Sequence, residues 1–163
     1  MELSMNTSTT VTAMIESPKG SNQKFDYDPT EKRFKLNKIL PAGMAFPFDF
    51  GMIPGTKGED GDPLDIIVIS EASAFPGCLV DCRVIGALKA EQTERDGDTV
   101  RNDRFIGVPE VSQLFSNIKT IEELPRAIID QLEAFFKNYN EQAGKQFKVT
   151  ERLTAQQAAQ LIH

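Results

Sequence analysis

The 163-residue chain sets 24 acidic residues against 18 basic ones, a net charge of −6, with a pI near 4.9. No basic run offers a polyanion a binding stripe and no apolar stretch nears the roughly 18 residues of a bilayer span, so neither nucleic acid nor membrane is expected as a partner. The opening MELSMNTSTT lacks the profile of an export signal, which makes a cytoplasmic location the expectation, and a 40% hydrophobic content suffices for one core and one domain.

Residues 1–10, rich in Ser, Thr and Asn without periodicity, read as a mobile tail, and the folded domain is expected over 11–163. VTAMIES reads as a strand, and KFDYD and RFKL alternate around DPTEK as a hairpin. Pro41, Pro47 and Pro54 make residues 41–58 irregular loop and short strand. Within it Phe46, Phe48 and Phe50 alternate as in a half-buried strand, a wall that would keep a site dry. Ile66 to Ile69 is apolar at every position, as in a strand buried on both faces. CLVDCRVIGALKAEQ predicts one long or bent strand with a bulge at Gly86, RDGD a hairpin turn, and TVRNDRFIGV the return strand. Glu94, Asp96 and Asp98 are expected at a flexible hairpin tip.

After Pro109 the period changes. Thr120 with Glu123 makes a capping box, and Pro125 reads as the first residue of the main helix. Ile128, Leu132, Phe135, Phe136 and Tyr139 share one face of that helix, Gly144 ends it, and Thr154 with Gln157 opens a short terminal helix. Strands followed by helices predict an α+β domain, a small mixed β-barrel with helices packed against it. Cys78 and Cys82, four apart on a strand, are too distant for a disulfide and read as core residues. With His163 the only histidine, a Cys/His zinc site or a Ser/His triad has almost nothing to draw on.

EDGDPLD, Glu59 to Asp65, is the segment richest in chemistry. Four carboxylates in one short loop repel one another, and a fold tolerates them mainly when a cation neutralises the charge; all-oxygen ligands suit Mg²⁺ or Mn²⁺. Gly61 and Pro63 tighten the loop so that Asp60, Asp62 and Asp65 can converge, with Asp65 at the mouth of the core and Glu59 left to solvent. Taken singly, Lys24, Lys38 and Arg104 read as solvated strand residues.

Five ordered blocks then carry a resemblance: IESPKGSNQKFDYD, MIPGTKGEDGDPLDIIVI, FPGC, IKTIEELP and FFKNY. Over roughly residues 11–150 the chain resembles family I soluble inorganic pyrophosphatases, whose signature has the form D-x-D-P-x-D. The resemblance implies an OB-like five-stranded closed barrel with flanking helices, and Mg²⁺-dependent hydrolysis of pyrophosphate to two phosphates. A water bridging two metals roughly 3.5 to 4 Å apart would be the nucleophile. By the same resemblance Asp62 and Asp65 are catalytic. Glu16, Asp60 and Asp65 hold metal, Lys24 and Tyr139 face phosphate, and Lys38, Arg104 and Lys145 are the further substrate-binding residues.

Departures mark this chain. Lys38 stands for a substrate-side Arg, Phe50 for a Tyr, and Glu91 for an Asp ligand. An Asp two residues before a Lys becomes Asn102 before Arg104. Either Asn102 ligates through its carbonyl oxygen, or a bulge after the long QTERDGDT hairpin turns Asp103 inward, the preferred reading. Asn140 follows Tyr139 in place of a Lys, with Lys145 the nearest replacement. Self-association is expected, a hexamer by resemblance. The competing functions are hydrolysis of a related organic phosphoanhydride and a non-catalytic phosphate or metal binder on the same scaffold.

Overall fold

Alternation carries the strands, and their pairing closes a ring. The computed structural model describes residues 8–162. In it β1 (Thr10–Ser17) pairs with β4 (Asp49–Ile53), and β4 pairs with β5 (Leu64–Val68). Next, β5 runs parallel to β8 (Arg104–Pro109), β8 pairs with β6 (Leu79–Thr93), and β6 returns to β1. The five strands form the expected closed barrel, which leaves no free edge within the ring. The hairpin β2 (Gln23–Asp28) and β3 (Arg33–Ile39) stands beside it as a separate pair. The long β6 extends past the barrel to pair with β7 (Thr99–Arg101) and β9 (Gln146–Thr154). Helix α1 (Arg126–Gln142) follows a 3-10 turn at Ile121–Glu123, and α2 (Ala155–Ala159) follows β9.

The apolar run of β5 feeds two layers, as its sequence implied. Ile66 and Val68 join Ala13, Ile15, Ile53, Val84 and Phe105, one set drawn from all five barrel strands and therefore the barrel interior. Ile67 and Ile69 face the opposite way and pack with Ile106, Leu132 and Phe136 beneath α1. Asp65 lies across from Met52 on one side and Arg104 on the other. It thus shares the face of Ile67, outside the barrel and under α1, and not the barrel mouth. The expected bulge is present at Gly86, where the β6–β8 register shifts and an added Cβ would sit 2.6 Å from the Leu153 carbonyl oxygen.

Four sequence expectations are corrected here. Phe46 and Phe48 precede β4 and lie on loop backbone, with Phe46 buried and its N–H donated to the Ser21 carbonyl. β9 was not foreseen: QFKVTERLT alternates, but Glu151 breaks the apolar set. The return strand is split into β7 and β8 at Asn102–Asp103. Pro125 is the N-cap of α1, one residue earlier than expected. Of the tail expected over residues 1–10, residues 1–7 lie outside the described ones, and Thr10 already belongs to β1. Both cysteines are free, Cys82 buried and Cys78 half-buried. Among the described residues no helix is long and apolar enough to cross a membrane.

β1 and β4 pass so closely at Gly51 that an added Cβ would come 2.1 Å from the Met14 carbonyl oxygen. Gly51→Ala is expected to lower stability by about 2 to 3 kcal/mol in urea denaturation, since backbone, not a movable side chain, opposes the methyl group.

Candidate active site

The hairpin β2–β3, the outer face of β4, β5 and β8, the acidic loop and the end of α1 enclose a cavity of about 610 Å³. It gathers charges of both signs. Glu16 comes from β1, Asp60 and Asp62 from the loop, and Asp65 from β5. Lys24, Lys38, Tyr139 and Lys145 also line it, with Arg104 rising from β8.

The acidic loop is tied at several points. Asp60 Oδ1 accepts the Asp62 N–H at 3.0 Å, the Gly58 N–H reaches the Asp62 carbonyl at 2.7 Å, and Gly61 takes a φ of +91° that suits glycine. Glu59, exposed as expected, also accepts the Arg101 N–H at 3.1 Å and so joins the loop to β7. The carboxylates are only partly compensated, by Arg104 at Asp65 and by Lys24 near Glu16, Asp62 and Asp65. Burial pushes Glu16 up to about 7, and the nearby Asp26 and Asp65 add to this against the Tyr27 N–H that it accepts. Burial likewise pushes Asp65 up to about 6, with Asp60 and Asp62 adding and Arg104 opposing. Asp62 is raised by burial, then by Asp60 and Asp26. Among the described residues no three acidic or sulfur or imidazole groups are gathered closely enough to form a finished metal cage. Hard oxygens that raise one another's pKa across a cavity nevertheless fit a small divalent cation.

Of the cations, Lys24, Lys145 and Arg104 each pair with a carboxylate, and among the described residues Lys38 has no such partner. Lys38 lies 5.0 Å from the centroid of the Tyr139 ring, and its ammonium is pulled below the ordinary lysine range by burial and by Lys24, Lys145 and Arg95. Such a cluster favours an anion of high charge. Lys24 pairs with Asp26 at 2.6 Å, and Lys145 with Glu94 at 3.1 Å. Arg104, 4% exposed, has its guanidinium carbon 5.0 Å from the Phe136 centroid, 5.1 Å from Phe147 and 5.8 Å from Phe50. It donates to Asp65 Oδ2 at 2.8 Å and to the Asn102 carbonyl at 3.2 Å. Its Nε is the one buried side-chain nitrogen or oxygen without a partner among the described residues, and ring faces surround the group.

Two expected ligands face elsewhere. Glu91 is exposed on the far side of β6, beside Glu59 and Thr150. Asp103 also leaves the cavity, and its carboxylate accepts the Ala90 N–H at 3.0 Å and pairs with Arg101 at 2.9 Å. The preferred bulge is absent. β6 pairs Glu91 with Arg101 and Leu88 with Arg104, so Lys89 and Ala90 stand against Asn102 and Asp103 without an extra residue. Plain alternation therefore turns Asn102 and Arg104 to the cavity. Gln92, one residue from Glu91, takes the inward place, and Asp26 and Asn37 also line the cavity. Sequence reasoning missed all three; only the neighbour parity of Gln92 offered a signal. Glu94 is not a free hairpin tip, since it joins Gln92 and Lys145. Asn140 is buried, donating its amide to the Phe136 carbonyl at 2.8 Å.

The sequence profile of the inorganic pyrophosphatase family matches residues 13–163. The chain belongs to the inorganic pyrophosphatase family. It is 38% identical over 143 residues to an inorganic pyrophosphatase of Sulfolobus acidocaldarius, covering 86% of this chain and 80% of the relative. The inorganic pyrophosphatase of Thermus thermophilus is 39% identical over 140 residues, 84% of this chain and 77% of its own. The crystal structure of an inorganic pyrophosphatase from that organism superposes with a TM-score of 0.85, at 34% identity, over 93% of this chain and 86% of that one. The family's D-x-D-P-x-D loop therefore sits where the cavity is most acidic.

Removing Arg104 leaves Asp65 without its partner. Arg104→Met is expected to cost about 3 kcal/mol, and Asp65→Asn in the same chain to recover part of that, in a double-mutant cycle by chemical denaturation. A pH effect follows as well. Glu16 and Asp65 ordinarily titrate at 4.5 and 3.8 but are held up to about 7 and about 6 when folded. The folded chain binds their protons more tightly, so stability in chelator is expected to fall as pH rises from about 4 to about 7. Glu16→Gln and Asp65→Asn should each flatten that slope, read from urea midpoints against pH.

Proposed function

We propose that the protein hydrolyses inorganic pyrophosphate to two phosphates with Mg²⁺, for which Mn²⁺ can substitute. The observation that carries this reading is one cavity lined by both Glu16, Asp60, Asp62 and Asp65 and Lys24, Lys38, Lys145 and Arg104, in a chain of the inorganic pyrophosphatase family. Glu16, Asp60 and Asp65 would hold the metal, which supplies positive charge for the substrate and acidifies a bound water.

The chain's own groups divide the remaining work. Lys24, Lys38 and Lys145 bind the oxygens of the anion, and the Tyr139 hydroxyl, raised by burial and so kept protonated, donates to it. Water attacks one phosphorus and the bond from that phosphorus to the bridging oxygen breaks. Asp62, raised by burial and by Asp60, is suited to orient the water and take its proton. Lysine ammonium groups stabilise the charge that gathers on the leaving phosphate. Arg104 acts from behind by holding Asp65 in place. Phe46 and Phe50 add apolar wall. Strongly exposed Val111 and Leu114 support self-association, to a hexamer by family resemblance, and light scattering reads the number.

Purified protein is expected to release phosphate from pyrophosphate with Mg²⁺ and to stop in chelator. Asp62→Asn and Asp65→Asn should lower kcat by about 100-fold or more, and Lys38→Ala should raise KM by about 10-fold. Absence of release with either Mg²⁺ or Mn²⁺ would sink this reading.

A further inference from the structure

The wall of the cavity formed by β6 and the β7–β8 junction carries amides where acidic ligands were expected. Gln92, 8% exposed, and half-buried Asn102 face inward. Asn102 Nδ2 donates to Gln92 Oε1 at 3.0 Å, and Gln92 Nε2 donates to Glu94 Oε2 at 2.7 Å. Glu94 in turn pairs with Lys145. This relay fixes the Gln92 amide and engages its carbonyl oxygen, leaving it a poor ligand for an incoming ion. The nearby carboxylates are no substitute, because Asp103 is held by Arg101 and the Ala90 N–H, and Glu91 lies on the outer face of β6. Beside the amides the Arg104 guanidinium adds a fixed positive charge, donating to the main-chain carbonyl of Asn102. Small divalent cations favour several hard, charged oxygens, and a neutral amide wall backed by a cation offers no charge and, with Gln92 Oε1 engaged, only the Asn102 amide oxygen.

The geometry points to a cavity that takes divalent cations on one wall only, that of Glu16, Asp60 and Asp65, with the Gln92–Asn102 pair and Arg104 standing in place of a cation site. This rests on the metal assignment made above. It predicts that this chain binds fewer ions than it would with carboxylates at the two amide positions. Gln92→Glu and Asn102→Asp preserve side-chain size and so test it with little steric change.

Bound Mn²⁺ per chain would be counted by equilibrium dialysis and electron paramagnetic resonance, at one pH and without substrate, in four proteins. These are the wild type, Q92E/N102D, Q92A/N102A and Asp65→Asn. Q92E/N102D is expected to bind one further ion per chain, to melt below the wild type in chelator, and to gain more in Tm from Mn²⁺. Q92A/N102A is expected to bind as many ions as the wild type. A reduced count in Q92A/N102A would show that the amides already ligate a cation and would overturn the proposal. An unchanged count in Q92E/N102D, with ions lost in Asp65→Asn, would overturn it while leaving the acidic wall in place. If Asp65→Asn loses nothing, the metal assignment falls, and the proposal with it.

Discussion

Arg104 and Asp65 are opposed across adjacent strands, and the whole cavity is organised around that contact. A buried guanidinium is costly unless its charge is answered, and here it is answered twice, by the Asp65 carboxylate and by the faces of Phe50, Phe136 and Phe147. The rings come from β4, α1 and β9, so the cage exists only when the barrel, the helix and the last strand are all in place. Phe50 presents an apolar ring face to the cation. The same cage holds Asp65 at the edge of the acidic group, leaving Asp60 and Asp62 on the loop to face the cavity.

Buried charge is the second constraint. Burial raises the proton affinity of Glu16, Asp62 and Asp65, with neighbouring carboxylates adding to it, while burial, then Lys24, Lys145 and Arg95, lowers that of Lys38. Buried charges of this kind would be relieved by ligands of opposite sign, a divalent cation at the carboxylates and a polyanion at Lys38. Under the function proposed above, pyrophosphate with its metal would relieve both at once. The departures at Lys38, Phe50, Gln92, Asn102 and Arg104 fall around a single cavity, so they read as one remodelled surface.

Much of this was legible in the sequence because it is local. Gly61 and Pro63 announced the loop, the unbroken apolar run of β5 announced burial on both faces, and Thr154 with Gln157 announced the last helix. Gly86 marked its own bulge. β9 escaped because Glu151 interrupts its alternation, and its pairing along β6 compensates in a way no local pattern shows. Glu94 looked like a hairpin tip because its ion-pair partner Lys145, just before β9, is brought to it by the pairing of β6 with β9.

The sequence by itself determined the chemistry available, an acidic loop beside lysines and aromatics, and the family whose motifs those residues spell. Only the tertiary structure decided which side chains meet. The choice between Glu91 and Gln92, or between Asp103 and Asn102, is a matter of strand parity, and parity depends on the register of β6 against β7 and β8. That register is set by the turn from Glu94 to Asp98 and by the pairing of β6 with β8, and a slip of one residue would reverse every side chain beyond it. That is why the carboxylates in the sequence and the amides in the cavity can differ by a single position.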